Sequence, residues 1–314
     1  MTAVVQTERL TKYYGRQLGV VDLDLQVEPG EVFGFLGPNG AGKTTTIRLL
    51  LDLIRPTRGS ITLLGRDSRR DGVTLRRQVG YVPGELALYG HLTGMDNLRF
   101  LAALRGGVDW AFVAQLAERL DADLSRKVRD LSTGNKRKVA LVQAFMHRPA
   151  LLILDEPTAG LDPLVQHEFY HLLEEARDAG QTVFLSSHLL PEVQRVCDRV
   201  AFVREGRLIA LEDIAAVAGK AVHEVNVTFA GAPPVDEIAA LPGVSDLAVD
   251  GASVRLRLNG SFDPLIKCAA ASTVVSLTSR EPDLEDVFLA YYGEDDHGRS
   301  HAGGGAADRG SDAA

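Results

Sequence analysis

The residues with the most specific chemistry lie at positions 37–44, which read GPNGAGKT. They match the pattern GxxxxGK[ST] between an apolar run at 32–36 and a helix-like run at 45–54. Glycines let the backbone wrap tightly, so that successive N–H groups point at a phosphate. Lys43 adds a positive charge for the β- and γ-phosphates, and the hydroxyl of Thr44 can bind Mg²⁺. The segment predicts a nucleotide-phosphate loop between a strand and a helix.

Two carboxylates that could serve the same reaction follow a second apolar run. Residues 151–154 are Leu-Leu-Ile-Leu, and Asp155 and Glu156 come directly after them. At the end of such a strand, Asp155 is placed to hold Mg²⁺, directly or through water. Glu156 is then available to accept a proton from an attacking water. An apolar strand that ends in Asp-Glu is common, but together with the phosphate loop it predicts a nucleotide-hydrolysing site.

Further short segments resemble motifs of the ATP-binding cassette (ABC) proteins. Residues 131–135, Leu-Ser-Thr-Gly-Asn, resemble the signature LSGGQ, residues 159–162 resemble the D-loop, and His188 resembles the switch histidine. Residues 10–15 resemble the segment whose aromatic ring stacks on adenine, with Tyr14 at the matching position. These motifs stand in the family's order, so the first part of the chain is identified as a member of the ABC family.

The resemblance implies an ATPase that works as a head-to-tail dimer, formed by two copies or by this chain and a relative. Two ATP molecules would lie between the phosphate loop of one protomer and the signature of the other. Lys43, Glu156 as the base and His188 as a contact of the γ-phosphate would be catalytic, and Thr44 and Asp155 would bind Mg²⁺. The residues expected to bind ATP are Tyr14, Gly37, Pro38, Asn39, Gly40, Ala41, Gly42, Lys43, Thr44, Thr45, Ser132, Gly134, Asn135 and Asp162.

The signature has a physical rationale at the start of a helix. Ser132 and the N–H groups of Gly134 and Asn135 would open a helix predicted over 136–145. A helix N-terminus carries about half a positive charge, which suits a γ-phosphate. The three cations at 136–138 are interpreted as a solvated helix face rather than as a phosphate or nucleic-acid patch.

One position departs from the family pattern in a way that bears on mechanism. The resemblance implies a glutamine, between the phosphate loop and the signature, that touches Mg²⁺ and the attacking water and reports to the permease. Here the matching residue is Gly84, within Gly-Tyr-Val-Pro-Gly-Glu at 80–85. Glycine has no side chain to bind anything. Either Glu85 reaches in, or water fills the place and coupling runs through the backbone.

Three zones differ in pattern along the chain. Residues 1–218 alternate apolar runs, at 32–36, 151–154, 182–185 and 200–203, with helix-like segments, which indicates an α/β domain with a largely parallel sheet. The resemblance implies a P-loop NTPase (ABC ATPase) domain with a helical subdomain. Residues 222–293 predict a small α+β ferredoxin-like domain of order β-α-β-β-α-β with a closing helix at 283–291. Residues 294–314 are predicted to be disordered.

Composition limits the classes of function. The 314 residues carry 34 Lys and Arg against 42 Asp and Glu, a formal net charge of −8, which gives no overall attraction for nucleic acid or anionic lipid. No apolar run approaches the ~20 residues that a membrane span needs. Two cysteines cannot form a disulfide framework. We expect a soluble, intracellular protein with no nucleic-acid partner, at the cytoplasmic side of the membrane, which it reaches through a permease.

The resemblance narrows the type of ABC protein. One cassette without a membrane span is typical of an ATPase subunit that serves separate permease chains. The segment Glu-Pro-Asp-Leu-Glu-Asp-Val-Phe-Leu at 281–289 resembles the extension on subunits of ABC-2-type exporters, a group of drug, antibiotic-resistance and polysaccharide efflux pumps. The alternative is a regulatory ABC ATPase that switches a partner without transport.

Overall fold

The computed structural model describes residues 2–216 and 222–280. These residues form two compact units, one within the first range and one within the second. The helix predicted at 283–291 and the disorder predicted for 294–314 fall outside the described residues.

The first unit contains two sheets and the helices that connect their strands. Its strands are β1 (Val5–Tyr14), β2 (Gln17–Val27), β3 (Val32–Leu36), β4 (Arg58–Leu63), β5 (Arg66–Asp67), β6 (Val79–Val82), β7 (Leu151–Asp155), β8 (Thr182–Ser187), β9 (Arg199–Arg204) and β10 (Arg207–Asp213). Its helices are α1 (Lys43–Leu50), α2 (Gly72–Gln78), α3 (Gly94–Arg105), α4 (Trp110–Arg119), α5 (Thr133–Phe145), α6 (Pro163–Asp178) and α7 (Leu190–Val196), with a 3-10 helix at Val128–Asp130.

The larger sheet has six strands in the order β10-β9-β3-β8-β7-β6. Every neighbouring pair is parallel except β9 and β10, so the prediction of a largely parallel sheet is confirmed. All residues of β3, β7 and β8 are buried, as expected for largely apolar strands that are covered on both faces. The helices α3, α4 and α5 occupy the chain between β6 and β7 and form the helical subdomain.

A second, antiparallel sheet was not predicted. It has the order β2-β1-β4-β5, and its strands alternate between buried and exposed residues, as in a sheet with one solvated face. Its buried side chains share one core with residues of β3 and α1, among them Phe35 and Ile47. The antiparallel sheet therefore supports the segment that carries the phosphate loop.

Two helices near the predicted site begin or end at other residues than predicted. The helix α1 spans Lys43–Leu50 rather than 45–54, because the chain turns at Leu51, with Asp52 in the left-handed region. The helix α5 begins at Thr133 rather than at 136, because the hydroxyl of Ser132 accepts the N–H of Asn135 and caps it.

The second unit has the predicted ferredoxin-like topology. Its elements are β11 (Val222–Phe229), α8 (Val235–Ala239), β12 (Val244–Asp250), β13 (Ser253–Asn259), α9 (Asp263–Ala269) and β14 (Val274–Arg280), with strand order β12-β13-β11-β14. Buried side chains of β11 and β13 pack against Ile238 and Leu265 of the two helices. No helix among the described residues is long and apolar enough to cross a bilayer.

Candidate nucleotide site

Three strands bring the predicted site residues to one edge of the six-stranded sheet. The strands β3, β8 and β7 are adjacent and parallel, with Leu36 opposite Ser187 and Asp155 opposite Ser186. The phosphate loop follows β3, the two acids close β7, and the histidine follows β8. In open α/β sheets this edge is where ligands bind.

The phosphate loop has the geometry that its glycines predict. Gly42 lies in the left-handed region with φ 102° and precedes α1, which has no side-chain cap, so the first N–H groups of that helix are available to an anion. Gly37 passes so close to β9 that a Cβ there would lie 2.2 Å from the carbonyl oxygen of Val203. Its N–H donates to the carbonyl of Ser187, which ties the loop to β8.

Lys43 is 6% exposed and its ammonium group lies inside the loop. Nζ donates to the carbonyl oxygens of Gly37 at 2.7 Å and Pro38 at 3.2 Å, and lies 3.4 Å from Oε1 of Glu156. The charge is thus held where the loop would surround a phosphate, and it already faces the carboxylate of the predicted base.

Glu156 is held in an unusual backbone conformation. Its φ is +48°, a region that residues other than glycine rarely adopt. The N–H of Glu156 donates to the carbonyl of Ser186, while Nδ1 of His188 lies 3.3 Å from Oε1, the oxygen that Lys43 also faces. The structure therefore brings the side chains of Lys43, Glu156 and His188 together. The carboxylate of Glu156 can accept a proton there, next to the ammonium of Lys43 and the imidazole of His188.

Asp155 presents an unpaired carboxylate oxygen. The side chain is 1% exposed, Oδ1 accepts the hydroxyl of Ser186 at 2.5 Å, and the buried Oδ2 has no hydrogen-bond partner. A buried oxygen without a donor is costly unless a ligand satisfies it. Oxygen ligands are those that Mg²⁺ prefers, so the chemistry of Asp155 fits a magnesium site.

A cleft of about 410 Å³ opens beside Lys43. Tyr14 is 44% exposed, lies in this cleft and has Nζ of Lys12 above its ring at 5.2 Å. Four of its lining residues were not predicted from the sequence: Gln17, Leu18, Gly19 and Arg48. The lining residues are Tyr14, Gln17, Leu18, Gly19, Asn39, Gly40, Gly42, Lys43, Thr44, Thr45, Arg48 and Glu156.

The signature residues do not line this cleft. Ser132 is exposed at the start of α5, and its hydroxyl accepts the N–H of Asn135 at 3.2 Å. The side chain of Asn135 points to the loop after α4, where it accepts the N–H of Asp123 and donates to the carbonyl of the same residue. The start of α5 is thus capped by Ser132 and held to the loop after α4 by Asn135, while Ser132 remains exposed.

The predicted D-loop contacts the signature within the same chain. A Cβ at Gly134 would lie 2.7 Å from the carbonyl oxygen of Gly160. Asp162 caps α6 by accepting the N–H of Val165, which lowers the pKa of Asp162, and its other oxygen lies 3.7 Å from Nζ of Lys138. The structure places Asp162 beside the signature helix and outside the lining of the cleft at Lys43.

The prediction that residues 136–138 form a solvated face is wrong for two of the three. Arg137 is 5% exposed and donates to the carbonyl oxygens of Pro83 and Gly84 at 2.9 and 3.0 Å. Lys138 is 8% exposed and pairs with the carboxylate of Asp121 at 2.9 Å. The sequence of three successive cations does not indicate which of them faces the interior. The carbonyl partners of Arg137 could not be predicted either, because they lie more than 50 residues away in the sequence.

Gly84 borders the predicted metal ligand. A Cβ at Gly84 would lie 3.1 Å from Oδ2 of Asp155, the oxygen without a partner. Glu85 is exposed, so the prediction that Glu85 reaches into the site receives no support from its position. The absence of a side chain at Gly84 therefore lets the loop pass next to this oxygen, which a Cβ would crowd.

Glu192, a buried acid near His188, was also not predicted from the sequence. Glu192 of α7 is 5% exposed and accepts the hydroxyl of Ser187, the residue before His188. Burial raises the pKa of Glu192, and the bond from Ser187 opposes that rise. Glu192 thereby anchors the end of β8 from which His188 projects.

Known proteins resemble this chain in sequence and in fold. The sequence profile described as ABC transporter matches residues 20–159. The Nod factor export ATP-binding protein I of Cupriavidus metallidurans is 34% identical over 312 residues, which cover 94% of this chain and 99% of that protein. The bacitracin transport ATP-binding protein BcrA of Enterococcus faecalis is 39% identical over 212 residues, covering 67% of this chain and 69% of that protein.

A solved structure shares the fold of the first unit. The protein described as the ATP binding subunit of an ABC transporter superposes with a TM-score of 0.63 at 33% identity. The superposition covers 68% of this chain and 91% of the other.

Proposed function

The chain belongs to the ATP-binding cassette transporter family as an ATP-binding subunit, and on this premise we propose that it hydrolyses ATP to drive export through separate permease chains. The observation that carries the proposal is the meeting of Lys43 and His188 at one oxygen of Glu156, beside a phosphate loop with free N–H groups. This arrangement combines an anion site with a base, which is what attack of water on a phosphate requires.

The chain's own residues divide the work of hydrolysis. The loop N–H groups and Lys43 hold the β- and γ-phosphates, and a phosphate entering the loop competes with Glu156 for the ammonium group. Glu156 takes a proton from the attacking water while His188 orients that water. The new bond from water oxygen to the γ-phosphorus replaces the bond to the β-phosphate oxygen, and ADP and phosphate leave.

Asp155 and Thr44 would hold Mg²⁺ in this site. The unpaired Oδ2 of Asp155 supports that assignment, and Thr44 lies in the wall of the cleft. When bound, the ion would supply positive charge that offsets the charge of the phosphates. Ser186 donates to the other oxygen of Asp155 and so keeps Oδ2 directed to its ligand.

The position of the signature favours a dimer. Ser132 is exposed and does not line the cleft that holds Lys43. The N-terminus of α5 is therefore exposed and can meet the phosphates of ATP bound to a second protomer. We infer that Ser132, Gly134, Asn135 and Asp162 contribute to ATP binding across such a dimer.

An apolar cleft supports docking of a permease. It has a volume of about 250 Å³, and Leu51, Leu53, Tyr81, Pro83 and Ala87 are among its lining residues. Pro83 immediately precedes Gly84, so a partner seated here would touch the loop that borders Asp155. Such docking would hold the chain at the cytoplasmic side of the membrane. Export as the direction of transport is proposed from the name of one relative, a Nod factor export protein.

Purification from membranes tests the proposal. The tagged chain should copurify from detergent-solubilised membranes with a chain that has several apolar spans, identified by mass spectrometry. In vesicles that contain both chains, the ATPase rate should exceed that of the isolated subunit, and Lys43→Ala should remove it. Recovery in the soluble fraction alone, with a rate that no membrane chain changes, would favour a regulatory ATPase instead.

A further inference from the structure

We propose that Arg137 is a positioning residue that couples the backbone at Pro83 and Gly84 to the signature helix α5. The inference rests on the proposed function, because it links the loop beside Asp155 in one ATP site to the signature that would bind ATP in the second site of the dimer. Gly84 has no side chain that could make this link, so the contact of Arg137 with the backbone makes it instead.

The contact is bidentate and buried. The two terminal nitrogens of Arg137 donate to consecutive carbonyl oxygens, that of Pro83 at 2.9 Å and that of Gly84 at 3.0 Å. The side chain is 5% exposed. A planar guanidinium that holds two acceptors fixes both the position and the orientation of the loop, which a single-point donor such as lysine cannot do.

The charge of Arg137 also belongs to the site electrostatically. Burial lowers the pKa of Arg137, whereas the negative charges of Asp155 and Glu156 act to raise it. Its Nε is buried without a hydrogen-bond partner, and no carboxylate among the described residues forms an ion pair with Arg137. A buried cation held by carbonyls near two acids stabilises those acids through space and keeps the loop next to Asp155.

The helix then carries the contact to the signature. Arg137 lies five residues after Ser132, and both belong to α5 or its cap, so they are separated by about 7.5 Å along a rigid helix. A displacement of the loop at Gly84 therefore moves the helix whose N-terminus we assign to the partner's ATP. The side chain of Glu85, the next residue of the loop, is exposed and so does not provide this link.

Arg105 offers a matched control. It is half-buried, and one terminal nitrogen of its guanidinium donates to two consecutive carbonyl oxygens, those of Arg76 and Arg77, at 3.1 and 3.4 Å. Burial lowers the pKa of Arg105 as it does that of Arg137. Its carbonyl partners belong to the end of α2, so its loss should destabilise the fold without disconnecting the loop at Gly84 from the signature.

The experiment measures ATP-driven dimer formation in the Glu156→Gln background, where hydrolysis does not interfere. Arg137→Met, Arg137→Lys and Arg105→Met are each added to that background. Sedimentation velocity gives the dimer affinity at saturating ATP, a fluorescent ATP analogue gives nucleotide affinity, and mass spectrometry gives amide exchange at residues 84–90. We expect both Arg137 variants to weaken the dimer about 10-fold or more and to speed exchange at 84–90, with nucleotide affinity within about twofold.

Three results would overturn the inference. The first is a dimer affinity within twofold of the Glu156→Gln parent in both Arg137 variants, and the second is unchanged amide exchange at 84–90. The third is a dimer that Arg105→Met weakens as much as the Arg137 variants do, because that would indicate a loss of stability alone. If Arg137→Met does not fold, Arg137→Lys decides, because it keeps the charge and loses the fork. If the Glu156→Gln parent forms no dimer with ATP, the proposed function fails, and exchange at 84–90 in the monomer still decides the inference.

Discussion

At the scale of single residues, one carboxylate oxygen organises the site. Oε1 of Glu156 faces the ammonium of Lys43 at 3.4 Å and the imidazole of His188 at 3.3 Å. The left-handed backbone at Glu156 stores strain of about 1–3 kcal/mol, which persists only where the surroundings fix it. Here the N–H bond to Ser186 does so. The same strand end therefore carries both the proposed metal ligand Asp155 and the proposed base Glu156.

Removing the ammonium of Lys43 should abolish turnover. Lys43→Ala takes away the cation that offsets β- and γ-phosphate charge, and a loss of about 100-fold or more in the ATPase rate is expected, which corresponds to ~2.7 kcal/mol. Phosphate release and equilibrium ATP binding should both fall. A rate within a few-fold of the parent would contradict the assignment of the phosphate loop.

Position 84 should control the metal requirement, and position 85 should not. In Gly84→Ala the new Cβ would lie 3.1 Å from Oδ2 of Asp155, so this oxygen must shift to make room. We expect the Mg²⁺ concentration for half-maximal ATPase to rise several-fold. Glu85→Ala should leave both rate and Mg²⁺ dependence within about twofold, because Glu85 is exposed. A 10-fold loss in Glu85→Ala would instead assign the missing side chain's task to Glu85.

Residue chemistry was predictable where it depends on neighbours in sequence. The glycines, Lys43 and Thr44 of the loop identify themselves by spacing, and the two acids follow an apolar strand. Arg137 could not be identified in this way, because its partners are backbone carbonyl oxygens that any residue type provides. The role of Ser132 as the cap of α5 is local and could have been predicted from the preference of serine for that position.

At the scale of elements, the strands that are buried on both faces were the most predictable. The predicted strands at 32–36, 151–154 and 182–185 agree with β3, β7 and β8 to within two residues, because a strand buried on both faces has an uninterrupted apolar sequence. The antiparallel sheet was missed although two of its three pairings, β1 with β2 and β4 with β5, are hairpins with two-residue turns. The third pairing, of β1 with β4, is long-range. Val5 pairs with Leu63, and no local pattern records that register.

The end of α5 should make stability depend on pH. His147, two residues beyond α5, accepts a hydrogen bond from Arg105 at Nε2, so it is held neutral. Burial, with the charge of Arg105, lowers the pKa of His147 from 6.5 to about 4. Between these values the unfolded chain binds more protons, so the free energy of unfolding falls as the pH drops from 6.5 toward 4.

Urea unfolding of the parent and of His147→Gln at pH 7.5 and 4.5 measures that contribution. After allowance for partial exposure, we expect the parent to lose about 2 kcal/mol more than the variant between the two pH values. An equal loss in both proteins would show that His147 titrates normally in the folded state.

At the scale of the whole molecule, the chain combines a nucleotide-binding unit with a second, small α+β unit. The first carries the site described above, and its resemblance to known proteins extends over residues 20–159 in the family profile. The second keeps its own core around Val225, Val227 and Leu256. Its topology was predictable because short alternating strands and the Asp-Gly turn at 250–251 are local signals.

The composition of residues 294–314 predicts that this segment contributes nothing to stability or catalysis. It is rich in Gly, Ala, Asp and Ser and offers little apolar surface to bury. Deletion of these residues should leave the melting temperature and the ATPase rate unchanged within error. A lower melting temperature would show that the segment packs against the rest of the protein.

The central claim, that this chain hydrolyses ATP with Glu156 as base, is tested most directly by Glu156→Gln. The amide keeps the shape and the hydrogen-bonding reach of the side chain but cannot take a proton from water. Phosphate release and ATP binding are measured on the same preparations of parent and variant. The account predicts that the variant binds ATP as tightly as the parent and releases phosphate at least about 100-fold more slowly. A variant that binds ATP and turns over at the parent's rate would contradict it.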